Sequence, residues 1–136
     1  PRDIYITEFD LTRLRDVLKA RVNAEVRDRD HLDSLENELD RAHVVDPSAV
    51  PHDVVTMNSQ VRIEDVDTGM ENVYTLVFPS DAGIQEKKLS ILAPIGTALL
   101  GARAGETVDW PVPAGVRTVR IKEVLYQPEA AGDYHL

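Results

Sequence analysis

The spacing of apolar residues changes once along this chain, and the change falls at a pair of prolines. As far as Ala42 the apolar residues recur every three or four positions; beyond Pro51 they alternate with polar ones. The first period places apolar side chains on one stripe of a helix, and the second on one face of a strand. Helices first and strands afterwards argue against an all-α or all-β chain and against the regular βαβ alternation of a parallel α/β sheet. The fold class expected is therefore α+β.

Ile4-Tyr5-Ile6 is a short β-prone stretch, and Thr7 or Asp10 can cap a helix behind it. Leu11, Leu14, Leu18 and Val22, widened by Val17, form one stripe and predict a helix over Asp10–Ala24. The polar run from Asn23 to Asp30 reads as a turn, with Asp30 positioned to cap a second helix. That helix carries Leu32, Leu35, Leu39 and Ala42, and Asp46-Pro47 ends it. Two stripes joined by a brief turn predict a short antiparallel αα-hairpin of coiled-coil type, its helices about 15 residues long and its reach roughly 20 Å. Residues 1–46 form this hairpin, 47–52 a linker, and 53–136 the second domain. Strands are expected over Val54–Asp65, Val73–Phe78, Lys88–Leu92, Thr107–Trp110 and Arg117–Tyr126. One short helix fits Gly96–Leu100, between Pro94 and Gly101.

Composition excludes several kinds of chemistry. The 136 residues include no cysteine, which removes disulfides, thiolate catalysis and cysteine-based zinc sites. The formal net charge is −9, so free nucleic acid is not an expected ligand, because its binding depends on phosphate neutralisation. An acidic chain is steered instead toward a basic surface on a protein partner. No apolar run reaches the ~20 residues that span a bilayer, and no basic-then-apolar leader opens the chain, so a cytoplasmic monomer without membrane contact is expected. His31, His43, His52 and His135 lack metal-ligand spacing, no glycine-rich phosphate loop is present, and no cofactor is expected. One acidic group has chemical promise: Glu25, Asp28, Asp30 and Asp33 at the hairpin tip. Paired carboxylates there would suit Mg²⁺, although Arg27 and Arg29 partly neutralise them.

Three runs carry a resemblance: Pro51 to Ser59 (PHDVVTMNS), Leu89 to Gly101 (LSILAPIGTALLG) and Tyr126 to Leu136 (YQPEAAGDYHL). Together they resemble the regulator of nucleoside diphosphate kinase (Rnk) family, which is related to the Gre transcript-cleavage factors. The resemblance implies a coiled-coil hairpin followed by an FKBP-like antiparallel sheet with one short helix. The Ala93–Gly101 segment is similar to the Gre segment that contacts the rim of the RNA polymerase secondary channel. By that resemblance Pro94, Ile95 and Gly96 are the expected docking residues, with Leu100 and Gly101 in support, and RNA polymerase is the expected partner.

The expected activity is regulation by occupancy of the channel, in competition with Gre-type factors and without catalysis. A Gre tip sets an Asp and a Glu close together, whereas here Arg29 separates Asp28 from Asp30, and the hairpin is about half the expected length. One rival reading is metal-assisted transcript cleavage by the tip acids, which hairpin reach discriminates. A second is a prolyl isomerase, suggested by fold alone and requiring an aromatic-lined pocket. A third is an interaction module with another partner.

Overall fold

The computed structural model describes residues 4–20, 29–112 and 115–133. A two-residue strand, β1 (Tyr5–Ile6), leads into α1 (Glu8–Ala20). Of the two candidate caps it is Thr7 that acts: its hydroxyl accepts the Asp10 backbone N–H at 3.1 Å. Glu8 and Asp10 sit in the first turn and Lys19 in the last, which complements the helix dipole. The second helix, α2 (Arg29–Asp40), begins one residue ahead of the expected cap and places Asp30 inside its first turn. Leu14, Leu35 and Leu39 are buried as the stripes require, and Leu11, Leu18 and Ala42 pack at their margins. Arg15 and Asp40 form an ion pair between the two helices at 3.1 Å.

After α2 the chain returns as β2 (His43–Val44), which pairs in parallel with β1, and the His43 ring stacks on Tyr5. The β-prone start of the chain thus finds its partner just beyond the helices. A 3₁₀ turn at Pro47–Ala49 follows.

The main sheet contains β3 (Gln60–Asp65), β4 (Glu71–Val77), β5 (Lys88–Ser90), β6 (Thr107–Val112) and β7 (Gly115–Tyr126), in the order β5-β4-β3-β7-β6. The expected antiparallel sheet is a mixed one. Pairs β3–β4, β3–β7 and β6–β7 are antiparallel, but β5 lies parallel to β4, with Thr75 opposite Lys88 and Val77 opposite Ser90. The connection between them winds through two 3₁₀ turns, Pro79–Asp81 and Ile84–Glu86, and so returns the chain to its starting end. β6 runs two residues past the expected Trp110, through Pro111. As an edge strand it tolerates the missing N–H.

The strand expected from Val54 is also shorter than read. Val54 makes only an isolated bridge to Arg103, and the ladder starts at Gln60. Asn58 has φ +65°, and the Ser59 hydroxyl takes the Thr56 N–H at 2.9 Å, so Val54–Ser59 folds as a side-chain-bonded loop.

Val61, Ile63, Leu76, Leu89, Val108, Val119 and Ile121 turn inward from the sheet. The short helix α3 (Pro94–Leu99) packs against β5, β6 and α2. Ile4, Ile6, Leu14, Leu35 and Leu39 from the N-terminal elements belong to the same buried cluster as the sheet residues. The hairpin root therefore shares its core with the sheet. A last short helix, α4 (Pro128–Ala131), follows β7 and packs against the Pro47–Ala49 turn.

Candidate functional site

The corner between β5 and α3 is built from backbone constraints. Ile91 donates its N–H to the Val77 carbonyl at 2.9 Å, carrying the β5 path one residue further. The Ser90 hydroxyl accepts from Leu92 N–H at 3.0 Å and the Ser90 carbonyl from Ala93 N–H at 3.1 Å, which turns the chain. Pro94 takes the first helical position, where a missing N–H costs nothing. Thr97 closes the turn, donating its hydroxyl to the Pro94 carbonyl at 2.9 Å.

Two glycines fix this corner onto the rest of the molecule. A Cβ on Gly96 would lie 2.0 Å from the Ser90 carbonyl oxygen, so any side chain there drives α3 off β5. Gly101 has φ +81°, and a Cβ on it would meet Ile4 at 2.7 Å. Its N–H donates to the Val55 carbonyl at 2.8 Å, and Val55 N–H returns a bond to Ala102 at 2.9 Å. The corner is thereby tied to both β1 and the loop before β3.

The five expected docking residues divide sharply. Pro94 is exposed, whereas Ile95 and Leu100 are core side chains at 3% and 2% exposure. Gly96 and Gly101 are buried as well. Ile95 therefore presents no side chain to a partner: it fills the space between α3 and the sheet. Thr97, half-buried beside Pro94, belongs to the outward face and was missed, because helical spacing alone does not say which side of a one-turn helix looks out.

Of the four expected tip acids, Glu25 and Asp28 lie outside the described residues. Asp30 is placed in the first turn of α2, with its side chain outside the description, and Asp33 is exposed on the same helix. Among the described residues no group of three or more His, Asp or Glu side chains is arranged to hold a metal. The described helices have 13 and 12 residues, or about 18–20 Å each at 1.5 Å per residue.

A pocket of about 250 Å³ opens on the inner face of the sheet, lined by Tyr74 and Trp110, with the exposed Met70 among its lining residues. The two rings meet edge to face with centroids 5.8 Å apart. An aromatic-lined pocket is thus present despite the few aromatics, because β4 and β6 bring two of them to one spot. Its size suits one side chain better than a cofactor. Asp65 at its rim bonds Arg117 at 2.6 Å, which holds the Asp65 carboxyl below the usual range.

On the outer face of the sheet, Arg62 pairs with Glu123 and Arg120 with Glu64. No helix among the described residues is long and apolar enough to cross a membrane.

Known proteins match this architecture along its length. Residues 2–45 match the Rnk N-terminus family, and residues 50–126, more than half the chain, match the family of the GreA/GreB transcription elongation factor C-terminus. The regulator of nucleoside diphosphate kinase of Escherichia coli is 49% identical over 105 residues, which cover 76% of this chain and 77% of that protein. Transcription elongation factor GreA of Thermodesulfovibrio yellowstonii is 34% identical over 96 residues, 71% of this chain but only 61% of that protein. A solved GreA/GreB elongation factor from Nitrosomonas europaea superposes with a TM-score of 0.80 at 43% identity, over 93% of this chain and all of that one. GreA factor homolog 1 of Thermus thermophilus, at 23% identity and a TM-score of 0.51, shares the fold, with 92% of this chain and all of that one covered. The chain is a GreA/GreB-like protein and belongs to the Rnk family.

Proposed function

We propose that this protein is a regulator that binds RNA polymerase at the rim of the secondary channel and competes there with Gre-type factors, without cleaving the transcript. The observation that carries the reading is the β5–α3 corner. It lies within the segment matched by the GreA/GreB C-terminal family, and its shape is set by Gly96 and Gly101. Pro94, with Thr97 beside it, forms the contact face. Ile95, Gly96, Leu100 and Gly101 act behind it, by holding that face in position.

The hairpin supports occupancy more than catalysis. Metal-assisted cleavage needs carboxylates within about 2.1 Å of the ion, and ~1 Å of misplacement costs ~10²-fold in rate. The described lengths of α1 and α2, 13 and 12 residues, are in keeping with a short hairpin, and a hairpin with helices twice as long would reach about 20 Å further. The protein is then a cytoplasmic regulator, and its charge of −9 favours a basic channel mouth over free nucleic acid.

Pro94→Glu tests the docking face. An acidic residue is well tolerated at the first position of a helix, so the melting curve should stay within about 0.5 kcal/mol of the parent in stability. Binding to core polymerase should weaken at least about tenfold. Unchanged affinity in a normally folded variant would remove the β5–α3 corner from the contact.

A further inference from the structure

The pocket beside Tyr74 and Trp110 has an apolar floor and a polar mouth. Ile63 and Val119, both buried, form the floor together with the half-buried Tyr74 and Trp110 rings. An edge-to-face pair leaves ring surface open to a third apolar group. Thr68 and Arg117 are exposed at the mouth, and Asp65 and Asn72 are half-buried. None of the lining residues comes from the hairpin or from the Leu89–Gly101 corner, so a ligand here is independent of the polymerase contact proposed above.

The hydrogen bonds at the mouth sort its acceptors from its donors. Asp65 Oδ1 accepts from the backbone N–H groups of Asp67 and Thr68 at 2.9 and 3.2 Å, and Asp65 Oδ2 accepts from Arg117 at 2.6 Å. The Thr68 hydroxyl oxygen accepts from Met70 N–H at 3.2 Å. Asn72 Oδ1 accepts from Lys87 Nζ at 3.1 Å, and because an ammonium only donates, this fixes which end of the amide is oxygen. The side-chain oxygens of Asp65, Thr68 and Asn72 are therefore all engaged. What these groups leave unspent among the described residues are donors: the Thr68 hydroxyl proton, the Asn72 amide N–H groups, and the Arg117 guanidinium N–H groups beyond the one on Asp65. Lys87 adds a positive charge behind Asn72, whereas the exposed Asp67 lines no part of the pocket.

We propose that this pocket binds a small carboxylate carried on an apolar body the size of one aromatic ring, the ring against Tyr74 and Trp110 and the carboxylate on Arg117, Asn72 and Thr68. The volume of about 250 Å³ admits one such group and no large cofactor. Arg117 suits the head, because a planar guanidinium matches a carboxylate with two parallel hydrogen bonds. A ligand ammonium is disfavoured, since it would have to displace Arg117 from Asp65. Two sources share this chemistry: a free aryl or alkyl carboxylate, and the C-terminal residue of a peptide chain, whose nitrogen is an uncharged amide. A free α-amino acid is not among them.

Trp110 is the one tryptophan of the chain, so its fluorescence reports the pocket directly. Phenylpropionate should change it saturably at about millimolar concentration or below. The neutral phenylpropionamide should bind at least about tenfold more weakly, the difference that charge-assisted hydrogen bonds supply. Phenylalanine, which adds an ammonium, should also bind more weakly than phenylpropionate. N-acetylphenylalanine separates the two sources: affinity at or above that of phenylpropionate assigns the pocket to a chain terminus, and lower affinity to a free carboxylate. Arg117→Met should bring phenylpropionate down to the level of the amide and leave the amide itself unchanged. The fold should survive this change, because the Arg117 side chain is exposed and its ion pair is wet. No saturable change up to about 10 mM phenylpropionate would overturn the proposal. So would equal affinity for phenylpropionate and its amide, phenylalanine binding as tightly as phenylpropionate, or an Arg117→Met protein that binds the carboxylate as the parent does.

Discussion

The two halves of this molecule are specified by different physics. In the sheet, β3 is paired on both sides, with β4 and with β7, and the α3 corner is locked by close backbone approach at Gly96. Among the described residues of the hairpin, shape rests on the buried Leu14, Leu35 and Leu39, the Thr7 cap and the Arg15–Asp40 ion pair. The sheet is sensitive to change at Gly96, and the hairpin at its root, where Leu14, Leu35 and Leu39 are buried. The two halves meet at a shared root. The hairpin is therefore no independent unit. Ile4, Ile6, Leu14, Leu35 and Leu39 are core residues of the whole.

The largest test of the contrast lies in the corner. Ile95→Asp places a charge in the core and should cost more than about 4 kcal/mol, abolishing the cooperative melt. Gly96→Ala should do nearly the same through the clash with the Ser90 carbonyl. A variant with either change that melts like the parent would mean that α3 is free to move off the sheet.

Next comes the shared core. Leu35→Ala should cost roughly 2–5 kcal/mol. Helical ellipticity and Trp110 fluorescence should still report a single transition, since Leu35 and the sheet residues belong to one cluster. Two separated transitions would divide hairpin from sheet.

The hairpin root gives a third effect of opposite sign. Asp10→Asn removes a carboxyl whose folded value is about 6 against an ordinary 3.8, a difference worth about 3 kcal/mol at most. Because the folded value is raised, the parent binds the extra proton when folded and loses stability as pH rises from about 4 to 6. Denaturant titrations should therefore find Asp10→Asn more stable than the parent at pH 7 and indistinguishable from it near pH 3.5. A variant less stable at pH 7 would show that the Arg13 pair outweighs the burial of Asp10.

Smaller still are the surface pairs. Arg15→Ala should change stability by no more than about 0.5 kcal/mol, because both partners are wet. Arg117→Ala should move the Asp65 carboxyl back up toward its ordinary range, visible in a side-chain titration by magnetic resonance.

These contrasts explain what the residues revealed on their own. Local signals were legible: the stripes that became Leu14, Leu35 and Leu39, the Thr7 cap, and the one-turn helix between Pro94 and Gly101. Signals that need distant partners were not. The parallel placement of β5 depends on how the chain winds through residues 79–86, and alternation is blind to strand direction. Val54 to Ser59 alternates as a strand should, yet the hydroxyls of Thr56 and Ser59 turn it into a loop that bonds Glu129, 73 residues on from Thr56. The resemblance points to the corner, but which of its residues face outward depends on the sheet beneath: Pro94 does, and Ile95 does not.

The central claim is that this chain occupies the Gre site on RNA polymerase, and a displacement titration tests it most directly. Labelled protein is bound to core polymerase at a fixed concentration and a GreA factor is added in increasing excess. The account predicts complete displacement, with a midpoint that rises in proportion to the concentration of this protein, and no transcript shortening when it alone is bound to a backtracked complex. Saturable binding of both proteins to the same polymerase would contradict the claim.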